Sequence, residues 1–139
     1  MFLVRMIYAS QASPVFEPQD IKDILLGAKL NNAKCNVTGL LCFNRKFFLQ
    51  CLEGSRTDVN ETYRAILNDP RHQNIILLDY KEITNREFEQ WNMGYVPESQ
   101  LTSKINLKYS GGPCFDPFHM SAESAYQMLL ELRNNVPTS

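Results

Sequence analysis

Two apolar segments separated by only three residues restrict the folds open to this chain more than any other feature. Thr38–Phe43 and Phe47–Glu53 flank Asn44-Arg45-Lys46. A connection that short between two strand-like runs predicts an antiparallel hairpin, and Gly54-Ser55 ends its second strand. The runs also lack clean polar alternation. Leu40-Leu41-Cys42-Phe43, and further on Ile75-Ile76-Leu77-Leu78, predict strands covered on both faces of a sheet.

The flanking segments predict that cover. Residues 2–9 read as a first strand, rich in β-branched and aromatic residues, broken by Ser10–Pro14. Pro18 opens a helix whose Ile21, Ile24, Leu25 and Ala28 recur at helical spacing; it ends near Asn31-Asn32. After the hairpin, a second helix runs from Thr57 to Leu67 with Val59, Tyr63, Ile66 and Leu67 as its apolar stripe, stopped by Pro70. Ile75–Ile83 is a fourth strand, Asn85–Gln90 a short helical turn and Trp91–Val96 a fifth strand. Past Pro97 come a weak helix over Leu101–Tyr109, a break at Gly111-Gly112-Pro113, and a helix over Ser121–Asn134 capped by Ser121. The order βαββαββ predicts an α+β, ferredoxin-like sheet. Its first two helices lie on one face. The two C-terminal helices cover the other through Tyr126, Leu129, Leu130 and Leu132. With no repeat and no long linker, residues 98–139 are expected to pack on the 1–97 core as one domain.

Composition narrows the function. The 139 residues are 44% hydrophobic and 21% charged, which is globular. Fourteen basic against 15 acidic residues give −1, so a net basic footprint for nucleic acid or an anionic membrane is absent. No apolar run reaches the roughly 18 residues of a membrane span. Met1–Tyr8 carries its one charge, Arg5, inside the apolar stretch, unlike a secretory leader. A soluble cytoplasmic protein is expected. Cys35, Cys42, Cys51 and Cys114 form no CxxC pair, and only two histidines accompany them. Buried reduced thiols and no metal site are the reading.

Several residues sit awkwardly in a plain core. Gln50 interrupts the apolar Phe47–Leu52 run, and burying an unpaired amide is costly, so it needs partners. Its two ends, donor and acceptor, exchange by rotation. Tyr8, by strand parity, can face the same side. Asn31-Asn32 could be a helix end and nothing more, and Asp69-Pro70-Arg71-His72 a helix stop. Trp91 and Met93, two apart in a strand, would share a face and could simply be core. Together, a helix-end Asn pair, a strand Gln and a strand Tyr could ring a flat polar heterocycle between the two helices. Arg71 and His72 could meet an anionic or aromatic extension of that ligand.

These pieces resemble the BLUF family of flavin-binding blue-light sensors, and most of all its short stand-alone members of the cyanobacterial phototaxis type. The matching segments are Arg5-Met-Ile-Tyr8-Ala-Ser10, Asp23-Ile-Leu25, Asn31-Asn32, Thr38-Gly-Leu-Leu-Cys42, Phe48-Leu-Gln50-Cys-Leu-Glu53-Gly54, Val59-Asn-Glu-Thr-Tyr63, Asp69-Pro-Arg71-His72, Phe88-Glu-Gln-Trp91-Asn-Met93 and Leu107-Lys-Tyr109-Ser110. They run in order over about the whole chain. Each is short; the ordered set is specific.

The resemblance implies noncovalently bound FAD, for which FMN or riboflavin could substitute, lying between the two helices. Asn31 and Asn32 would hold polar edges of the ring, and Gln50 would sit between Tyr8 and the flavin. Ile24, Leu25, Phe48 and Ile66 would give apolar contact. Asp69, Arg71 and His72 would lie toward the ribityl, phosphate or adenine end. Related sequences often carry an arginine where this chain has Ala65. Arg64 would point about 100° away on a helix and is given no ligand role. Asn92 stands where a serine is common.

The photochemistry implied is electron and proton donation by Tyr8, the proton passing through Gln50, with rapid return. A changed Gln50 hydrogen-bond state and a small red shift remain. Trp91 and Met93 would carry the change to the 98–136 surface. No enzymatic activity is expected. A chain this short would signal by protein contact, as a homo-oligomer and with a response-regulator-like partner. The alternative is a non-signalling flavin-binding or protein-interaction module on the same scaffold. RNA-binding modules share the layout but need an aromatic, glycine-containing strand motif that Lys46–Gln50 lacks. An acylphosphatase-type hydrolase needs a phosphate loop, and Ser10–Pro14 has no glycine.

Overall fold

The computed structural model of the chain describes residues 2–137, so Met1 and the last two residues of the 98–139 extension lie outside the described residues. Five strands form one sheet in the order β4-β1-β3-β2-β5. They are β1 Leu3–Ala12, β2 Thr38–Phe43, β3 Phe47–Ser55, β4 His72–Ile83 and β5 Gly94–Val96. All neighbouring pairs are antiparallel except β2 with β5. α1 (Asp20–Cys35) and α2 (Arg56–Leu67) pack on one face. α3 (Ser103–Tyr109) and α4 (Ala122–Leu132) pack on the other. This is the ferredoxin-like α+β sheet that the element order predicts.

Boundaries shift where pairing overrides local turn signals. β1 begins at Leu3 and continues through Ser10 to Ala12, because Ser10 and Gln11 pair with Phe48 and Phe47 of β3. α1 starts at Asp20 rather than Pro18 and runs past Asn31-Asn32 to Cys35. The residue that stops it is Asn36, in the left-handed region at φ 56°, a conformation asparagine tolerates. β3 extends to Ser55, whose hydroxyl caps α2 by accepting the Asp58 amide at 3.2 Å. Leu67 is exposed, so it lies outside the α2 stripe. Ser121 caps α4 as expected, accepting the Ser124 amide at 3.0 Å. α4 stops at Leu132 and tightens into a 3-10 turn at Arg133–Asn135.

β2 and β3 are buried along almost their whole length, as their unbroken apolar runs require. The same inference fails for β4. It starts three residues early, at His72, and Ile76 and Leu77 are exposed. β4 is the edge strand beside β1, and helices that span the sheet's middle leave its rim uncovered. The largest departure is at 84–93. Asn85–Gln90 forms bends and turns rather than a helical turn, and only Gly94–Val96 is strand. Trp91 and Met93 therefore escape strand parity. Trp91 packs among the C-terminal helices, whereas Met93 packs under α1 and α2. Gly94 makes room for that turn, since a Cβ there would lie 2.6 Å from Leu40 and 3.0 Å from the Trp91 ring. All four cysteines are free; Cys42 and Cys51 are buried, Cys35 is partly covered and Cys114 is exposed, contrary to the buried expectation.

Candidate functional site

Between α1 and α2, above the middle of the sheet, lies a cavity of about 290 Å³. Ligand pockets of this kind start at about 300 Å³. Apolar walls come from Ile24, Ala28, Leu41, Phe48, Leu52 and Ile66, and polar groups from Asn31, Asn32, Gln50, Asp69, Arg71 and His72. Tyr8 closes the floor.

The sheet register sets the central pair. Tyr8 on β1 lies directly opposite Gln50 on β3, and such cross-strand neighbours bring side chains into contact. Both are 4% exposed. The Tyr8 hydroxyl donates a short hydrogen bond to Gln50 Oε1. Burial pushes the Tyr8 phenol well above its ordinary value, and nearby Tyr63 and Asp69 push the same way. Ground-state Tyr8 is thus a protonated donor, fixing which end of the Gln50 amide faces it. The other end, Nε2, donates to Met93 Sδ at 3.3 Å. A thioether is a weak acceptor. An amide nitrogen carries two N–H groups, so this end retains donor capacity toward the cavity.

Asn32 is 1% exposed, and its Nδ2 donates to the Asn92 carbonyl at 2.7 Å. That bond ties the last turns of α1 to the 84–93 loop. Asn31 is exposed on the cavity rim, its Nδ2 3.5 Å from Asn32 Oδ1. At the far end Asp69 and Arg71 pair with each other, with Asp69 Oδ2 2.8 Å from Arg71 Nη2. Burial pulls the Asp69 carboxyl up, but the Arg71 hydrogen bonds outweigh it and hold the carboxyl below its ordinary value. His72 lines the cavity with both ring nitrogens engaged: Nδ1 is 2.8 Å from Ser10 Oγ and Nε2 is 2.7 Å from the Ile66 carbonyl. A carbonyl only accepts, so Nε2 carries the proton. His72 therefore braces β1 against α2 and offers its ring face, rather than a free nitrogen, to a ligand.

Of the expected contacts, Leu25 alone stands off the cavity; it packs under α1 with the sheet. Arg64 lines a separate groove with Tyr63, Leu77 and Tyr80, while Ala65 faces the cavity, as a turn of about 100° per residue requires. Unforeseen lining residues are Asp23, Gly27, Thr62, Leu41 and Leu52. Asp23 and Gly27 stand eight and four residues before Asn31, and that spacing on one helix face is the available signal. Flat apolar walls, an amide edge of Asn32 and Gln50, and a small Gly27-Ala28 flank fit a planar heterocycle such as a flavin ring.

Comparison with known proteins decides the family. The family model described as sensors of blue light using FAD matches residues 3–94. The chain belongs to the BLUF family. Among curated relatives, the blue light- and temperature-regulated antirepressor BluF of Escherichia coli (strain K12) is 40% identical over 80 residues, 56% of this chain and 20% of that protein. Photoactivated adenylate cyclase subunit beta of Euglena gracilis is 31% identical over 108 residues, 76% of this chain and 13% of that protein. The chain thus spans a fifth or less of these curated relatives. The solved structure of BlsA in its photo-activated state aligns with a TM-score of 0.85 at 32% identity, covering 94% of both chains. The dark-state structure of the BLUF protein BlrB aligns at 0.79 with 27% identity and 96% of both. These likenesses extend beyond the sheet into the C-terminal helices.

Proposed function

We propose that this chain is a blue-light photoreceptor that holds FAD noncovalently in the α1–α2 cavity and signals by protein contact. The observation that carries this reading is the Tyr8–Gln50–Met93 chain of contacts, buried against a cavity suited to a flavin ring. Asn31, Asn32 and Gln50 would hold the ring's polar edge, Ile24, Phe48 and Ile66 its faces, and Asp69, Arg71 and His72 the side-chain end. When bound, FAD would supply a light-excited one-electron oxidant.

Tyr8 is the donor in this scheme, and its proton lies on a hydrogen bond to Gln50 Oε1. Gln50 has two amide orientations. In one, Nε2 donates to Met93 Sδ. Turning the amide presents Oε1 there instead, and a carbonyl oxygen makes no hydrogen bond to a thioether. The two states therefore differ in whether Met93 is held. Met93 ends the loop on which Trp91 sits, and Trp91 Nε1 donates to the Pro137 carbonyl at 2.9 Å. A local event so reaches the 98–139 extension, the element biased by the switch.

Residues 1–97 are read as the flavin-binding core and 98–139 as the output surface. The protein is read as a homo-oligomer that engages a response-regulator-like partner and catalyses no reaction on a substrate. Support for contact-based output comes from relatives named as an antirepressor and as photoactivated cyclases. Among the described residues no helix is long and apolar enough to cross a membrane.

The test is an absorption spectrum in darkness and under blue light. A flavin spectrum that shifts slightly red and recovers in darkness supports the reading, with Tyr8→Phe and Gln50→Leu yellow but unshifted and Asn32→Ala weakened in flavin uptake. A flavin spectrum without reversible shift leaves a binding module. A colourless protein that refuses FAD overturns both.

A further inference from the structure

Glu53 is a carboxylate with no solvent exposure. It follows Gln50 by three positions on β3, so strand alternation turns it to the opposite face of the sheet. A buried charge needs compensation, and Glu53 takes it from main chain. Its Oε1 accepts the Phe88 amide at 2.8 Å and the Glu87 amide at 3.1 Å; its Oε2 accepts the Glu87 amide at 2.9 Å. Arg86 Nη1 adds bonds to the Glu53 carbonyl at 3.2 Å and to Thr38 Oγ1 at 2.9 Å. Burial pushes the Glu53 carboxyl above its ordinary value while the two amides pull it back.

The segment held in this way is the 84–93 loop. Further along, its Trp91 carbonyl accepts the Gly39 amide at 3.0 Å, and it finishes at Met93 against Gln50. The Glu87–Phe88 peptide has two holders: its N–H goes to Glu53, and its C=O accepts Arg133 Nη1 at 2.7 Å. Arg133 stands at the end of α4. One peptide group thus joins the strand bearing Gln50 to the C-terminal segment.

We propose that Glu53 is a positioning residue for the photoactive pair: its carboxylate fixes the 84–93 loop so that Met93 Sδ meets the Gln50 amide, and it couples that placement to the C-terminal end through the Glu87–Phe88 peptide. This rests on the photoreceptor reading above. A glutamine at 53 offers one acceptor oxygen and turns an NH₂ toward two amide donors, so it loosens the loop without emptying the site.

The experiment is a double-mutant cycle on dark recovery of the FAD-loaded full chain. Glu53→Gln should keep the yellow colour and the red shift and change the recovery rate by about tenfold, the size of a lost charge-assisted bond. In a Met93→Leu background the same change should move the rate less than about twofold, the mark of action through a shared contact. Equal fold-changes in both backgrounds, or an unaltered rate in the parent background, overturn the proposal. Should Glu53→Gln fail to fold, Glu87→Pro removes one amide donor from the other side of the clamp, and Glu87→Ala keeps it. Glu87→Ala removes the carboxylate that pairs with Arg133 at 3.0 Å but leaves the amide, so Glu87→Pro must alter recovery beyond what Glu87→Ala does; equal rates in the two variants overturn the proposal. A parent protein with no reversible shift overturns the photoreceptor reading itself, and this inference with it.

Discussion

The two faces of the sheet are built to different ends. Against α3 and α4 the sheet is sealed: Phe88, Val96, Met128 and Leu129 have no exposure, and Phe47, Leu101 and Phe115 close the margins. Against α1 and α2 the cover is partial. Ile24, Tyr63 and Ile66 are only partly buried, and α1 turns Gly27 and Ala28 toward a cavity instead of large side chains. One face supplies stability through dense packing, and the other gives up packing for a binding site. The difference lies in side-chain size along α1, since the same strands serve both.

Truncation on each face is the sharpest way to break that comparison. Leu129→Ala should cost about 2–5 kcal/mol, the range for a sealed core. Ile24→Ala should cost much less in the flavin-free chain, because its neighbours already border open space, and should instead weaken FAD uptake. Denaturant unfolding of both, with flavin titration of the second, reads this directly. Equal stability losses would mean that the cavity face is packed as tightly as the other.

The two faces also hold carboxylates of opposite character. Asp69, at the cavity mouth, has its carboxyl held down by Arg71. Its contribution to stability is present above the unfolded-state pKa and is lost as pH falls through the folded one. Glu53, beneath the sealed face, has its carboxyl pushed up by burial, with Arg86 and the two loop amides opposing. There the linkage reverses: the folded state holds the proton more tightly, so stability declines as pH rises from the unfolded-state value through the folded one. Asp69→Asn should therefore flatten the loss of stability on acidification. Glu53→Gln should remove that decline. Urea unfolding across the acid range checks both slopes; slopes of the same sign would refute the contrast.

The sequence made most of this legible where the signal was periodic. Hairpin spacing and two amphipathic helices lead to a ferredoxin-like sheet, and Gln50 in an apolar strand leads to a site between the helices. Legibility ended where long-range bonds decide local shape. Nothing between Asn85 and Met93 reveals that the loop will wrap a carboxylate from β3, so reading Trp91 and Met93 as strand neighbours put them on one face. Asn31-Asn32 look like a helix end because asparagine suits one, yet α1 continues, and Asn32 spends its amide on Asn92 across the fold. The run Ile75–Leu78 predicts burial, yet Ile76 and Leu77 are exposed, because an apolar run does not say which strand takes the edge.

The smallest expected effect tests the seam between the faces. Trp91→Phe keeps an aromatic ring among the C-terminal helices, deletes the Nε1 bond to Pro137, worth about 0.5–1.5 kcal/mol, and gives up part of the buried indole's packing. Arg133 still holds the Glu87 carbonyl at 2.7 Å, so α4 should stay docked while the chain after it loosens. Exchange of the Val136 amide, bonded to the Arg133 carbonyl at 3.2 Å, should quicken, and exchange in β3 should stay unchanged. Because Trp91 stands on the sealed side and Met93 on the cavity side, the red shift should survive Trp91→Phe intact, and recovery should respond far more to Met93→Leu. A Trp91→Phe variant that lost the shift would place the indole's influence at Gln50 itself and dissolve the division between the two faces at this loop.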